Sequence, residues 1–300
     1  MKLYGGVEAG GTKFVCMVGS GPQNIRAEIT FPTTNPVETI GRVVDFFRQE
    51  MPGIAALGVG SFGPIDPNPA SPTYGYITTT PKPGWVQTNI VGMLRDALDV
   101  PVVFDTDVNA AAFGEYRWGA ARGEDPAIYV TVGTGIGGGI VCGGAPIHGL
   151  VHPEMGHMLV RHDRERDPFP GICPFHGDCL EGLASGPALA ARWGQRAETL
   201  PDDHPAWGLE AHYIAQALAN LVLTHSPRRI VIGGGVMRRT GLYPLVRDWV
   251  RRLLNGYVQS STILQGIDSY IVPPGLGNRS GVLGAIALAQ ASLVQTTSNA

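Results

Sequence analysis

"GGVEAGGTKFVCMVG", residues 5–19, is an apolar run, a Gly-Gly-Thr turn and a second apolar run. The pattern predicts two strands folded back on each other as a hairpin. The same design returns at residues 127–144 as "AIYVTVGTGIGGGIVCGG", again strand, glycine turn and strand. Between them, "VETIGRVVDFFRQE" (37–50) repeats apolar residues at Val37, Ile40, Val43, Val44 and Phe47, the period of an amphipathic helix. "ALGVGSFG" reads as a buried strand, "NIVGMLRDAL" as a helix, "VPVVFDTD" as another buried strand, and "NAAAFGEYRWG" starts a helix. In the second half "YIAQALANLVLTHS" is a helix and "RRIVIGGGVMRR" a strand running into a third glycine turn. "SGVLGAIALAQASL" is apolar on most sides and should be buried, whereas the tail "VQTTSNA" is polar and expected to fray. The alternation predicts an α/β architecture. The duplicated openings predict two similar lobes with a ligand cleft between them.

Composition narrows the class. Three hundred residues with 44% apolar content can bury two modest cores. A net charge of −3 and a pI near 6.2 suggest neither nucleic acid nor a membrane surface as partner. Only 16% of residues are charged and 42 are glycine, which fits a compact enzyme whose backbone approaches ligands closely. Glycines interrupt the start before any export-type apolar run, and no stretch reaches the length of a membrane span, so a cytoplasmic protein is expected. Cysteines 16, 142, 173 and 179 in such a setting favour metal binding over disulfides.

In "EAGGTK" (8–13), glycines without Cβ atoms let backbone N–H groups approach a polyphosphate, with Thr12 and Lys13 adding donors. A tight turn with no ligand would look the same. No helix follows, so this is not a P-loop. "GTGIGGG" (133–139) has a nominal GxGxxG in Gly133, Gly135 and Gly138, but a strand continues where a dinucleotide fold needs a helix. "GGGVMRR" (233–239) is the third turn. Three such turns, each ending a buried strand, favour a nucleotide cleft. "DTDVNAAAFGE" places Asp105, Asp107 and Asn109 where a strand gives way to a helix. A carboxylate there can take a proton from a substrate hydroxyl while Asn109 bonds a neighbouring one. Helix capping by Asp107 or Asn109 is the plainer alternative.

The richest stretch is "VHPEMGHMLV" (151–160) followed by "GICPFHGDCLEG" (171–182). Cys173, His176 and Cys179 stand three residues apart, with His157 upstream. Two thiolates and two imidazoles make a tetrahedral set suited to Zn²⁺, leaving no open position for water, so the metal should be structural. His152 could compete as a ligand. His162, in the charged run "RHDRERD", reads as part of a solvated loop. A metal joining the two segments would orient Glu154 and Glu181 toward one pocket, where carboxylates bind sugar hydroxyls well.

Taken together, "GGVEAGGTK", "FDTDVNAAAFGE", "VGTGIGGG", "HPEMGH", "CPFHGDCLEGLASGPA" and "GGGVM" resemble the ROK family of sugar kinases, and most of all its bacterial fructokinases. The resemblance spans nearly the whole chain, in order. It implies a two-lobed actin-like ATPase fold of the ribonuclease H-like, hexokinase type, with duplicated βββαβαβα-like halves. It implies ATP and Mg²⁺ as co-substrates, a structural Zn²⁺, and a homodimer. The lobes would be residues 1–113 completed by 281–300, and 114–280 with the zinc-binding segment 152–182. By position, Asp107 matches the general base, and Asn109, Glu154, His157 and Glu181 the sugar contacts. His157, Cys173, His176 and Cys179 match the zinc ligands. Gly10, Gly11, Thr12, Lys13, Thr134 and Gly135 match the phosphate turns. Pro187, Gly234, Gly235, Val236, Met237 and Arg238 match the adenosine side. Glu8 stands where the common kinase pattern has Asp, and His176 where many members have a third cysteine; both features look like the fructokinase branch.

The expected activity is thus phosphorylation of fructose to fructose 6-phosphate, with a mannose or glucose kinase as the alternative. A sugar-responsive repressor of the same family would need a DNA-binding segment ahead of the first glycine turn, where only seven residues precede Glu8. A zinc hydrolase is disfavoured by the filled metal set and the lack of HExxH.

Overall fold

The computed structural model describes the backbone of residues 2–50 and 53–298, and side chains as far as residue 294. The chain opens with β1 (Leu3–Ala9), β2 (Lys13–Gly21) and β3 (Asn24–Pro32), then α1 (Pro36–Glu50) and β4 (Ile54–Ser61). A short ribbon, β5 (Tyr76–Ile77) and β6 (Thr88–Asn89), leads into α2 (Ile90–Leu98), β7 (Val102–Thr106) and α3 (Asp107–Trp118). The second half repeats the opening as β8 (Ala127–Val132), β9 (Ile136–Cys142) and β10 (Ala145–Pro146). It continues through α4 (Leu180–Ala184), α5 (Gly186–Trp193), α6 (Ala206–His225), β11 (Arg229–Gly233) and α7 (Leu242–Leu254). Short helices α8 (Ser261–Leu264) and α9 (Ile267–Tyr270), strand β12 (Ile271–Val272) and the long α10 (Ser280–Ser298) complete it.

The duplication is real in topology. One sheet has the order β3-β2-β1-β4-β7 and the other β10-β9-β8-β11-β12. In each, the opening strand pairs on one side with its hairpin partner and on the other with a parallel strand. The chain divides into two compact units: residues 1–123, 139–153 and 275–300 form one, and residues 124–138 and 154–274 the other. No helix among the described residues is long and apolar enough to cross a membrane.

In the first unit the central strands are buried on both faces, because their side chains alternate between two cores. Phe14, Cys16 and Val18 point into a cluster with Ile40, Val43 and Phe47 of α1 and Ile90 and Leu94 of α2. Val15 and Met17 face Val282, Leu283 and Ile286 of α10. Cys16 is therefore a small core hydrophobe, its thiol pushed up by burial. The expected α1 stripe holds at Ile40, Val43, Val44 and Phe47, but Val37 is 76% exposed. Thr39 is the buried residue of that first turn instead, its hydroxyl accepting from Thr34 N at 3.0 Å. The polar tail does not fray where expected: α10 runs on to Ser298, and residues 299 and 300 lie outside the described residues.

Helix α10 lies unusually close to its neighbours. A Cβ on Gly58 of β4 would overlap the Ala285 carbonyl, and one on Gly284 would overlap the Ala110 carbonyl of α3. Glycine at both places is a requirement of approach. Glu115 of α3 clamps the start of this return. It is fully buried, and its carboxylate accepts from Ala120 N (2.7 Å), Gly275 N (2.9 Å), Leu276 N (3.0 Å) and Ser280 Oγ (2.7 Å). Glu115→Ala strands four donors, each costing about 1–3 kcal/mol when buried unpaired, less what water recovers. The expected loss is about 3–5 kcal/mol by urea denaturation. A change below about 0.5 kcal/mol, the usual size of a neutral surface substitution, would show the clamp to be dispensable.

Candidate active site

In the first unit, strands β1, β4 and β7 are parallel, and their carboxyl ends bring Glu8, Ser61 and Asp105 together with the start of α3. This is the edge at which open α/β sheets bind ligands. The α3 N-cap is Thr106, whose hydroxyl accepts from Asn109 N at 3.0 Å. Neither Asp107 nor Asn109 is the cap, so the plainer explanation of both side chains falls away. Asp107 sits partly exposed in the first turn, its Oδ1 accepting from Val108 N at 2.9 Å. Asn109, expected to meet a substrate hydroxyl, is fully buried, and its Nδ2 donates to Asp105 Oδ1 at 2.8 Å. Asp105 Oδ1 also accepts from Thr106 N at 2.7 Å, and its Oδ2 lies 3.0 Å from His148 Nε2.

Glu8 lies at the floor of this region, with Oε2 buried and lacking a hydrogen-bond partner. Burial first, and then the charge of Asp107, raise its carboxyl to about 7, against the lowering pull of Lys13. The adjoining turn keeps Gly11, Thr12 and Lys13 accessible, closed by Gly10 N to Lys13 O at 3.0 Å and tied by Thr33 Oγ1 to Gly10 O at 2.7 Å.

In the second unit His157, Cys173, His176 and Cys179 converge, their ligand atoms all within 4.8 Å of one another. Cys173 Sγ is 3.7 Å from His157 Nδ1 and 3.6 Å from His176 Nδ1, and Cys179 Sγ is 3.5 Å from His157 Nδ1. A tetrahedral ion with Zn–S of about 2.3 Å and Zn–N of about 2.05 Å has an S···N edge of about 3.6 Å. The donor set therefore fits Zn²⁺ in chemistry and in size. Burial, and then the neighbouring Cys173, push the Cys179 thiol up to about 11, a cost that ligation as thiolate removes. His152 takes no part: it is buried in the first unit, where its Nε2 accepts from Ile65 N at 3.2 Å. His162 is not in a solvated loop either. Its side chain is 4% exposed, with Nδ1 3.0 Å from Asp178 Oδ2 and Nε2 2.9 Å from the Asp167 carbonyl.

Backbone bonds hold the same segments together: Leu180 N donates to Met158 O at 2.9 Å, and Leu159 bridges Cys179. Glu181 follows in the first turn of α4, and its Oε2 accepts from Ile136 N at 2.8 Å. Ile136 ends the Gly133–Gly135 turn, and Gly186 N bonds Gly133 O at 2.8 Å, so that turn is fixed from the metal side. Glu154 is exposed at the surface, and desolvation by its neighbours raises its carboxyl, opposed by His157 and reinforced by Glu181. Thr134, Pro187, Gly235 and Arg238 are exposed around the second and third turns, whereas Val236 and Met237 point into the core.

Comparison with known proteins agrees with this geometry. The model of the ROK family matches residues 4–292. A fructokinase from Pediococcus pentosaceus is 45% identical over 291 residues, covering 97% of this chain and 99% of its own. A fructokinase from Zymomonas mobilis is 44% identical over 298 residues, covering 97% of each. The crystal structure of a ROK family glucokinase from Streptomyces griseus in complex with glucose and AMPPNP is 26% identical, with a TM-score of 0.76 over 96% of this chain and 99% of that one.

Glu8 generates a prediction. Its folded-state pKa is raised from 4.5 to about 7, so its contribution is complete below pH 4.5 and is lost as pH rises through 7. Urea denaturation of the unliganded chain and of Glu8→Gln should give a stability difference that shifts in the variant's favour across that window. A difference that stays flat between pH 4.5 and 7.5 would mean that Glu8 is not held protonated.

Sequence motifs, sheet topology and near-full-length similarity agree, and the chain belongs to the ROK family, with the actin-like ATPase fold of its sugar kinases.

Proposed function

We infer that the chain is an ATP-dependent fructokinase, which transfers the γ-phosphoryl group of Mg-ATP to the 6-hydroxyl of D-fructose. The observation that carries this is the near-full-length identity with fructokinases, far above that with the glucokinase. Asp107 is the base. It takes the hydroxyl proton as that oxygen bonds to the γ-phosphorus, while the bond to the bridging oxygen breaks and leaves ADP. Phosphoryl transfer of this kind depends mainly on positioning and charge neutralisation. Mg²⁺, bound with ATP, screens the phosphate charge.

The remaining residues divide by what they can reach. Glu154, His157 and Glu181 are assigned to sugar hydroxyls. Glu181 Oε2 is held by Ile136 N, and a carboxylate has further acceptor sites for a hydroxyl. His157 turns Nδ1 to the sulfurs, which leaves Nε2 for the sugar. Asn109 is assigned to a sugar hydroxyl through Oδ1, which is buried and lacks a hydrogen-bond partner, while its Nδ2 helps to fix Asp105. Gly10 to Lys13, Thr134 and Gly135 are assigned to the phosphates, and Pro187 with Gly234 to Arg238 to adenosine. Zn²⁺ held by His157, Cys173, His176 and Cys179 would be structural, since four protein ligands would complete its tetrahedral shell. The reading includes a cytoplasmic homodimer, testable for assembly by sedimentation of the purified chain.

A coupled ADP-release assay over fructose, mannose and glucose tests the substrate. Turnover of fructose weaker than of both others would overturn the reading. Asp107→Asn keeps the shape but accepts no proton at neutral pH, so kcat should fall by about 10²–10⁴ with fructose affinity little changed. Near-normal kcat in that variant would remove Asp107 from the chemistry.

The metal has its own test. Cys179→Ser should lose zinc, read by mass spectrometry, together with thermal stability, because thiolate ligation carries much of the affinity of such a site. Fructose affinity should fall, and ATP affinity with it, since Glu181 and Gly186 hold the Gly133–Gly135 turn. Zinc retained at wild-type content would refute the ligand set.

A further inference from the structure

Residues 147–153 of the first unit, "IHGLVHP", form a strap that is pinned twice. His152 Nε2 accepts from Ile65 N, in the loop after β4, and His148 Nε2 meets Asp105 Oδ2 at the end of β7. The strap thus lies at the carboxyl ends of two parallel strands, next to the start of α3. The segment that leads into it begins at Gly139, where a Cβ would crowd the Val108 carbonyl and Asn109.

The two pins differ in character. His152 is buried, and burial lowers its pKa, as befits a neutral structural acceptor. The His148 side chain is 39% exposed, and among the described residues its only hydrogen bond is to Asp105. Asp105 is buried and already satisfied at Oδ1 by Thr106 N and Asn109 Nδ2. An ionised carboxylate only accepts, so His148 must present N–H at Nε2. That fixes the ring by one edge and leaves Nδ1 with no hydrogen bond among the described residues, on a half-exposed side chain at the carboxyl end of β7. Oriented imidazoles with one nitrogen held by a carboxylate are a recurring device for presenting the other nitrogen to a ligand.

We propose that His148 is a sugar contact, held by Asp105 so that Nδ1 bonds a hydroxyl of the acceptor hexose. This rests on the kinase reading above and adds to it a residue on the first unit, carried by the strap. The Asp105 bond is the positioning element, and the open nitrogen is the recognition element. The two can be separated by substitution.

In His148→Gln the side-chain amide can still donate to Asp105 from about the place of Nε2, but nothing replaces Nδ1. In His148→Ala both are lost. Steady-state kinetics on the full chain, with thermal melting of each variant, decides the matter. The expected result for His148→Gln is a fructose KM raised about five- to twentyfold, the range for one lost hydrogen bond to a charged or neutral partner. Its ATP KM and Tm should match wild type, and His148→Ala should raise the fructose KM at least as far. A wild-type fructose KM in His148→Gln, or fructose and ATP KM rising together, would reduce His148 to a tie for the strap and overturn the proposal. If the wild-type chain prefers another hexose, the fructokinase reading fails, and the same comparison is scored on the preferred sugar.

Discussion

Helix α3 is fixed at both ends by buried carboxylates, and the first unit is built around that constraint. Asp105, just ahead of the helix, holds Asn109 of its first turn, while Glu115 near its far end gathers Ala120, Gly275, Leu276 and Ser280. The second carboxylate joins residues distant in sequence and ties the start of α10 to α3. Among the described residues neither acid accepts from a lysine or arginine, and His148 on Asp105 is the one basic side chain involved. Backbone N–H groups and hydroxyls satisfy them instead, which sets geometry more tightly than a flexible ion pair would. Asp107 inherits its position from this frame.

The second unit solves a related problem with a metal set. Its glycine turn at Gly133–Gly135 carries only the exposed Thr134 side chain and so is not held by packing of its own. Support comes from outside: Glu181 on Ile136 N, Gly186 on Gly133 O, and Gly156 packed so closely that a Cβ would overlap the Ile136 carbonyl. Gly156 and Glu181 each stand within two residues of a cysteine or histidine of the metal set. Glu181, expected from sequence to serve the sugar, is thereby also a brace for the turn. One carboxylate can do both because its two oxygens are separate acceptors.

How much of this could be read beforehand depended on whether the signal was local. The hairpins, the buried strands and the helix periods were legible, because burial imposes a period on neighbouring residues. The edge strand β3 was not, since only Phe31 of its nine residues is fully buried. The four-residue metal set was legible from spacing. His162 was misread because its partners, Asp167 and Asp178, are brought to it by the fold, while its own neighbours are charged. His148 carried no local mark at all, as Asp105 lies 43 residues away. The Thr106 cap was hidden by Asp107 and Asn109, which are equally good caps on paper.

The two aspartates flanking Thr106 show how the fold, and not the motif, decides what surrounds each one. Both are carboxylates at the end of β7, and either could be written as a base from sequence. Asp105 is buried, and three donors converge on it: Thr106 N and Asn109 Nδ2 on Oδ1, and His148 on Oδ2. Both of its oxygens are thereby committed to holding neighbouring groups in place. Asp107, one residue further into the helix, turns partly to solvent. Two residues of displacement along the chain therefore separate a buried carboxylate that positions its neighbours from one that reaches the accessible surface.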